Sequence, residues 1–177
     1  MLHIKENKKK ILELFFDYPT EQFHLRQISR KMKIAVTSVR KYLDDLLKER
    51  LIIKIDKGIY PSFKANRDAD EGVFRFYKKL NMVERLISSG LVDYIEDNCI
   101  PNTMILFGSA SRGEDIERSD IDLFVQCKSK KLDLEKFEKK LKRKINIFFE
   151  GNFSRLSKEL KNNILNGILL RGYLKVF

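Results

Sequence analysis

Apolar residues recur along the chain with two different periods, and the changes of period divide it into elements. Residues 5–16 place Ile11, Leu12, Phe15 and Phe16 at helical spacing, and Asp17-Tyr18-Pro19 stops that run. A second helix is predicted after Thr20, with Leu25, Ile28 and Met32 on one face and Arg26, Arg30, Lys31 and Lys33 left for solvent or a partner. A third starts near Ala35. Its inner stripe is Val39, Leu43, Leu46 and Leu47, which leaves Thr37, Ser38, Arg40 and Lys41 outward near its beginning. Residues 51–55 and 59–63 then read as two strands around a turn at Asp56-Lys57-Gly58. The polar residues 64–72 mark a boundary.

Beyond it, Phe74, Tyr77, Leu80, Val83, Leu86, Ile87, Leu91, Val92 and Ile95 recur at helical spacing, with Ser88-Ser89-Gly90 as a break, and are assigned to core packing. Residues 103–107 are a short apolar run suited to a buried strand that ends in Gly108-Ser109. A strand with alternating carboxylates, Asp120-Ile121-Asp122, leads into Leu123-Phe124-Val125. A lysine-rich amphipathic helix over residues 133–143 precedes a strand over 144–149 whose core face is Ile145, Ile147 and Phe149. A helix over 153–165 follows, and residues 166–172 are assigned to packing. The fold class is α+β, divided as residues 1–66, a helical connector over 67–100, and residues 101–177.

Charge changes this picture in one place. Residues 1–67 hold 16 Lys and Arg against 8 Asp and Glu, whereas residues 68–177 hold 20 against 17, so most of the excess of +11 sits in the first third. A basic unit releases counterions from a polyanion, which makes nucleic acid its leading partner. Cys99 and Cys127 have no Cys or His neighbour at metal-ligand spacing and read as buried thiols of a reducing, cytoplasmic compartment. His3 and His24 show no partners. The apolar stretch after the first lysines is short and interrupted by Glu13, unlike a signal peptide, and no segment approaches membrane-spanning length.

The chemistry concentrates around residue 110. Strand alternation points Asp120 and Asp122 to one face, and two carboxylates on one face make a site for a divalent cation such as Mg2+. Gly108 supplies a turn that lets backbone approach phosphates, Ser109 donates from hydroxyl and amide, and Arg112 adds positive charge.

Two resemblances follow from these residues. HLRQISRKMKIAVTSVRKYLDDLLKERLIIKIDKGIYPSF resembles the winged helix-turn-helix of prokaryotic regulators. That implies DNA as partner, with Arg40 and Lys41 reaching bases or phosphates, Thr37 and Ser38 supporting them, and Lys54 or Lys57 touching the backbone from the wing. ILFGSASRGEDIERSDIDLFV resembles the signature of minimal nucleotidyltransferases of the DNA polymerase beta superfamily. The resemblance implies a small mixed sheet, ATP or another nucleoside triphosphate as substrate, and two metal ions held by Asp120 and Asp122, the catalytic pair. In that family a later strand brings a third carboxylate; here Asn146 stands in its place, able to ligate through its carbonyl oxygen but neither basic nor charged.

The resemblance to minimal-nucleotidyltransferase antitoxins implies transfer of AMP to a hydroxyl of a HEPN-type toxin or another protein acceptor, with the DNA-binding unit controlling transcription; a winged helix reading a repeated site implies a homodimer, and no membrane partner is expected. The alternative is a transcription regulator whose second domain senses nucleotide or binds a partner without catalysis, a reading that Asn146 favours. Modification of an antibiotic or a tRNA fits the shared signature but would call for an added substrate domain.

Overall fold

The computed structural model describes residues 6–67 and 72–176; His3 and residues 68–71 of the polar boundary lie outside them. The chain divides into two compact units, Met1–Lys78 and Lys79–Phe177.

In the first unit, α1 (Glu6–Asp17) buries Ile11, Leu12, Leu14, Phe15 and Phe16. The short strand β1 (Gln22–His24) leads into α2 (Leu25–Met32), and α3 (Val36–Lys48) follows after a three-residue turn. In that turn Lys33 adopts the left-handed conformation (φ 55), and Ser29 Oγ donates to the Ile34 carbonyl at 2.6 Å. Two strands, β2 (Ile52–Ile55) and β3 (Ser62–Ala65), complete an antiparallel sheet in the order β1-β3-β2.

Three expectations change here. Strand β1 went unforeseen because it is three residues long with one apolar position, Phe23, whose ring packs edge-on against Phe15 at 5.7 Å. The return strand begins at Ser62, not at residue 59: Ile55 pairs with Ser62, so residues 56–61 form a loop with Ile59 91% and Tyr60 70% exposed. Pro61 has no N–H to give the ladder, which ends the pairing there. His24 does have partners, since its Nδ1 donates to the Pro61 carbonyl at 3.0 Å and its backbone N–H donates to Gln27 Oε1 at 2.8 Å.

The boundary falls within α4 (Val73–Ser89), whose Phe74 belongs to the first core and whose Met82 and Leu86 belong to the second. Leu80 and Ile87 are about half exposed, because the apolar positions of this helix are more numerous than one buried stripe can hold. The second unit continues with α5 (Leu91–Cys99), β4 (Thr103–Phe107), α6 (Gly108–Arg112), β5 (Ile121–Val125), α7 (Glu135–Leu141), β6 (Ile145–Phe149), α8 (Lys158–Leu165) and β7 (Ile168–Gly172).

Its four strands form one mixed sheet in the order β6-β5-β4-β7, with β5 and β6 parallel and the other pairs antiparallel. Met104, Leu106, Ile121, Leu123 and Val125 face a core shared with Leu91, Ile95, Phe137 and Leu141 of the helices. Ile105 and Phe124, on the opposite parity, pack with Phe153, Leu156 and Ile164. Residues 166–172 are therefore not filler: they include β7, which pairs with β4 from Thr103↔Gly172 to Leu106↔Ile168. Gly172 makes that pairing possible, because its φ is 69 and a Cβ there would lie 2.0 Å from the Asn102 carbonyl oxygen. The single helix expected over 153–165 is a 3-10 turn, Phe153–Arg155, followed by α8, which Ser157 caps by accepting from the Leu160 N–H at 3.2 Å. Among the described residues, no helix is long and apolar enough to cross a membrane.

Candidate active site

The residues singled out around position 110 meet at one end of the mixed sheet. Asp122 sits in β5 opposite Phe107 of β4 on one side and Asn146 of β6 on the other, while Asp120 immediately precedes the strand. Asn146 Nδ2 donates to Asp120 Oδ2 and to Asp122 Oδ1, both at 3.2 Å, so one amide spans both carboxylates. Two anions on one strand face repel, and an amide donor between them relieves part of that cost. Turned through a half rotation, the same side chain presents its carbonyl oxygen to a cation held by the two aspartates.

Gly108 closes the site from the β4 side. Its φ is 74, and a Cβ there would lie 2.5 Å from Asp122 Oδ2, so the carboxylate occupies space that any side chain would claim. The chain turns at Gly108 into α6, whose first amides have no intrahelical acceptors. Ser111 Oγ donates back to the Gly108 carbonyl at 2.9 Å and fixes the turn. Arg112 is exposed, and its Nε donates to Glu114 Oε2 at 2.8 Å, so its guanidinium points along the next loop in an ion pair that solvent screens.

Sequence reasoning missed the pair that holds this end of the sheet together. Arg143 Nη1 lies 2.8 Å from Asp115 Oδ2, with the two side chains 5% and 1% exposed, and it also donates to the Ser119 carbonyl at 3.3 Å. The loop that delivers Asp120 is thereby tied to the segment that delivers Asn146. In the sequence, Asp115 is one of several charges in a polar loop and Arg143 one of many cations on a basic helix, so neither stood out.

Of the candidates in the first unit, Thr37, Arg40 and Lys41 are exposed on the first turns of α3, and Ser38 is half-buried. Lys57 is exposed in the loop between β2 and β3, whereas Lys54 is exposed on β2 and pairs with Asp56 at 2.9 Å. The two cysteines, far apart in sequence, are free thiols that interact in the second unit, and burial, then the neighbouring Cys99, push the Cys127 thiol up to about 11. Among the described residues, no group of three or more His, Cys, Asp and Glu is arranged to hold a metal ion; the carboxylates of this site are Asp120 and Asp122, joined by the Asn146 amide.

The mixed sheet thus ends in a glycine turn that faces paired carboxylates. Residues 90–173 match the family model described as polymerase beta, nucleotidyltransferase, and this supports placing the domain in the polymerase beta superfamily. The matched segment contains Gly108, Ser109, Asp120, Asp122 and Asn146. Comparison with curated proteins and with solved structures gave no match.

Proposed function

We propose that the second unit is a Mg2+-dependent nucleotidyltransferase that moves AMP from ATP to a hydroxyl of a partner protein, and that the first unit is a winged helix-turn-helix that binds DNA. The observation that carries the first half is the carboxylate pair spanned by one amide and faced by a side-chain-free Gly108. Asp120 and Asp122 would hold the metal, and Gly108, Ser109 and the start of α6 would hold the triphosphate. Nucleotidyltransferase domains typically use Mg2+ and a nucleoside triphosphate, and the bound ion supplies charge stabilisation to the phosphates. Antitoxin-like action on a HEPN-type toxin is the form of this reading in which a DNA-binding unit controls its own promoter.

Calorimetric titration with ATP, GTP, CTP and UTP in Mg2+ tests it, beside an Asp120→Ala/Asp122→Ala control. Selective binding that the control lacks is expected; a wild-type protein that binds none of the four removes the enzymatic reading.

For the first unit, the exposed Arg40 and Lys41 on α3 support contact with phosphates or base edges. The Arg40→Ala/Lys41→Ala protein is expected to bind duplex DNA at least about tenfold more weakly, with a salt slope shallower by about two. Fluorescence anisotropy at several salt concentrations reads both numbers. Unchanged affinity and slope would move the DNA interface off α3.

Asn146 favours a second reading, a nucleotide sensor without transfer. It leaves the site with two negative charges and, at its own position, a neutral amide where a third carboxylate could take a proton from an attacking hydroxyl. Asn146→Asp is expected to tighten Mn2+ binding about tenfold and, if the transferase reading holds, to raise the labelling of acceptor protein by radioactive ATP. Tighter metal binding with no label in either protein supports the sensor.

A further inference from the structure

We propose that the opposite end of the same sheet carries a second ligand site, one that takes a nucleoside monophosphate. A cavity of about 380 Å³ opens there between the start of β4, the end of β5, the segment after β6 and the segment after β7. That volume lies in the range of small-molecule sites. It is distinct from the carboxylate site, because Gln126, on its wall, lies four residues of extended chain beyond Asp122, about 13 Å away.

The walls are built, not incidental. The Asn102 N–H donates to the Gln126 carbonyl at 3.1 Å and the Gln126 N–H to Thr103 at 2.9 Å, which extends the β4–β5 ladder to the cavity floor. The left-handed Gly172 leads into Tyr173, which lines the cavity and whose N–H donates to the Asn102 carbonyl at 3.4 Å. Asn152 Oδ1 accepts from the Ser154 N–H at 3.0 Å, which leaves its Nδ2 as a donor for a ligand. Gln126 Nε2 faces the Gly151 carbonyl at 3.5 Å, which leaves its Oε1 as an acceptor.

The chemistry of these groups selects the ligand. Among the described residues that line the cavity none is an Asp or Glu, so they offer a divalent cation no hard anionic side-chain oxygens. The Lys175 ammonium and the Asn152 amide offer donors to an anion, and Gln126 Oε1 offers an acceptor to a heterocycle. Tyr173 is 73% exposed, an aromatic plane open to a stacking partner. A phosphate joined to a hydrogen-bonding heterocycle uses all three features; inorganic phosphate uses one and a plain aromatic another.

The experiment titrates AMP into the full-length Asp120→Ala/Asp122→Ala protein in EDTA, where the carboxylate site cannot hold a metal–nucleotide complex. One AMP per chain is expected to bind, at least about tenfold more weakly after Tyr173→Ala or Lys175→Ala, with adenosine also at least tenfold weaker. Both substituted residues are exposed, and an unchanged unfolding midpoint certifies the fold of each variant. The proposal is overturned if AMP does not bind, if binding requires Asp120 and Asp122, or if neither variant weakens it. Failure of the carboxylate site shows separately, as wild-type protein that binds no nucleoside triphosphate in Mg2+.

Discussion

Replacing Arg143 by alanine is expected to cost the second unit about 3–5 kcal/mol of stability, the usual result of removing one partner of a buried ion pair. The Asp115 side chain is 1% exposed and Arg143 Nη1 lies 2.8 Å from it, so the variant must keep a buried carboxylate that has lost this cation, protonate it, or open the loop. A paired replacement, Asp115→Leu with Arg143→Met, removes both charges and is expected to recover most of the loss. Urea unfolding followed by circular dichroism measures both proteins. A single-variant loss under about 1 kcal/mol would mean that water reaches the pair and that the tie between the Asp120 and Asn146 segments is weak.

The second large effect falls on Gly108. Alanine there adds about 1–2 kcal/mol of left-handed backbone strain. It also brings a methyl to 2.5 Å from Asp122 Oδ2, which drives the carboxylate out of the position it shares with Asp120 around Asn146. Affinity for Mg2+ with a nucleoside triphosphate is expected to fall about 100-fold or more while the protein stays folded, since a misplaced charged ligand costs several kcal/mol of binding. Ser109→Ala, which leaves Asp122 untouched, is the companion variant and is expected to lose far less. Calorimetry on the two proteins decides the matter: equal losses would locate the defect in the turn as a whole instead of the Gly108–Asp122 contact.

Much of this site was legible because strand parity is strict. Asp120 and Asp122 had to share a face once the apolar residues beside them were assigned to the core, and the structure brings both to one amide. Asn146 could be named, but its alignment with Asp122 depends on the parallel register of β5 and β6, which no local signal sets. The same holds for contacts that join distant segments: Asp115 with Arg143, and Cys99 with Cys127, are ordinary residues until the fold places them together. Errors in the elements came where short segments lacked a period. Strand β1 has a single buried residue, and Ile59-Tyr60 looked like strand only because nothing in the sequence says that the loop extends to Pro61. Strand β7 was overlooked because Leu169 and Leu170 show no alternation, and pairing with β4 decides its state.

The place of β7 in the sheet has a consequence for how the protein is made. Strands β4, β5 and β6 leave the ribosome first, yet β4, which leads directly into Gly108, keeps one side unsatisfied until residues 168–172 have been synthesised. A growing chain thus holds both aspartates well before the frame that orients them is complete. During that interval it presents a bare hydrogen-bonding edge flanked by Ile105 and Leu106, a template on which unfinished copies can join.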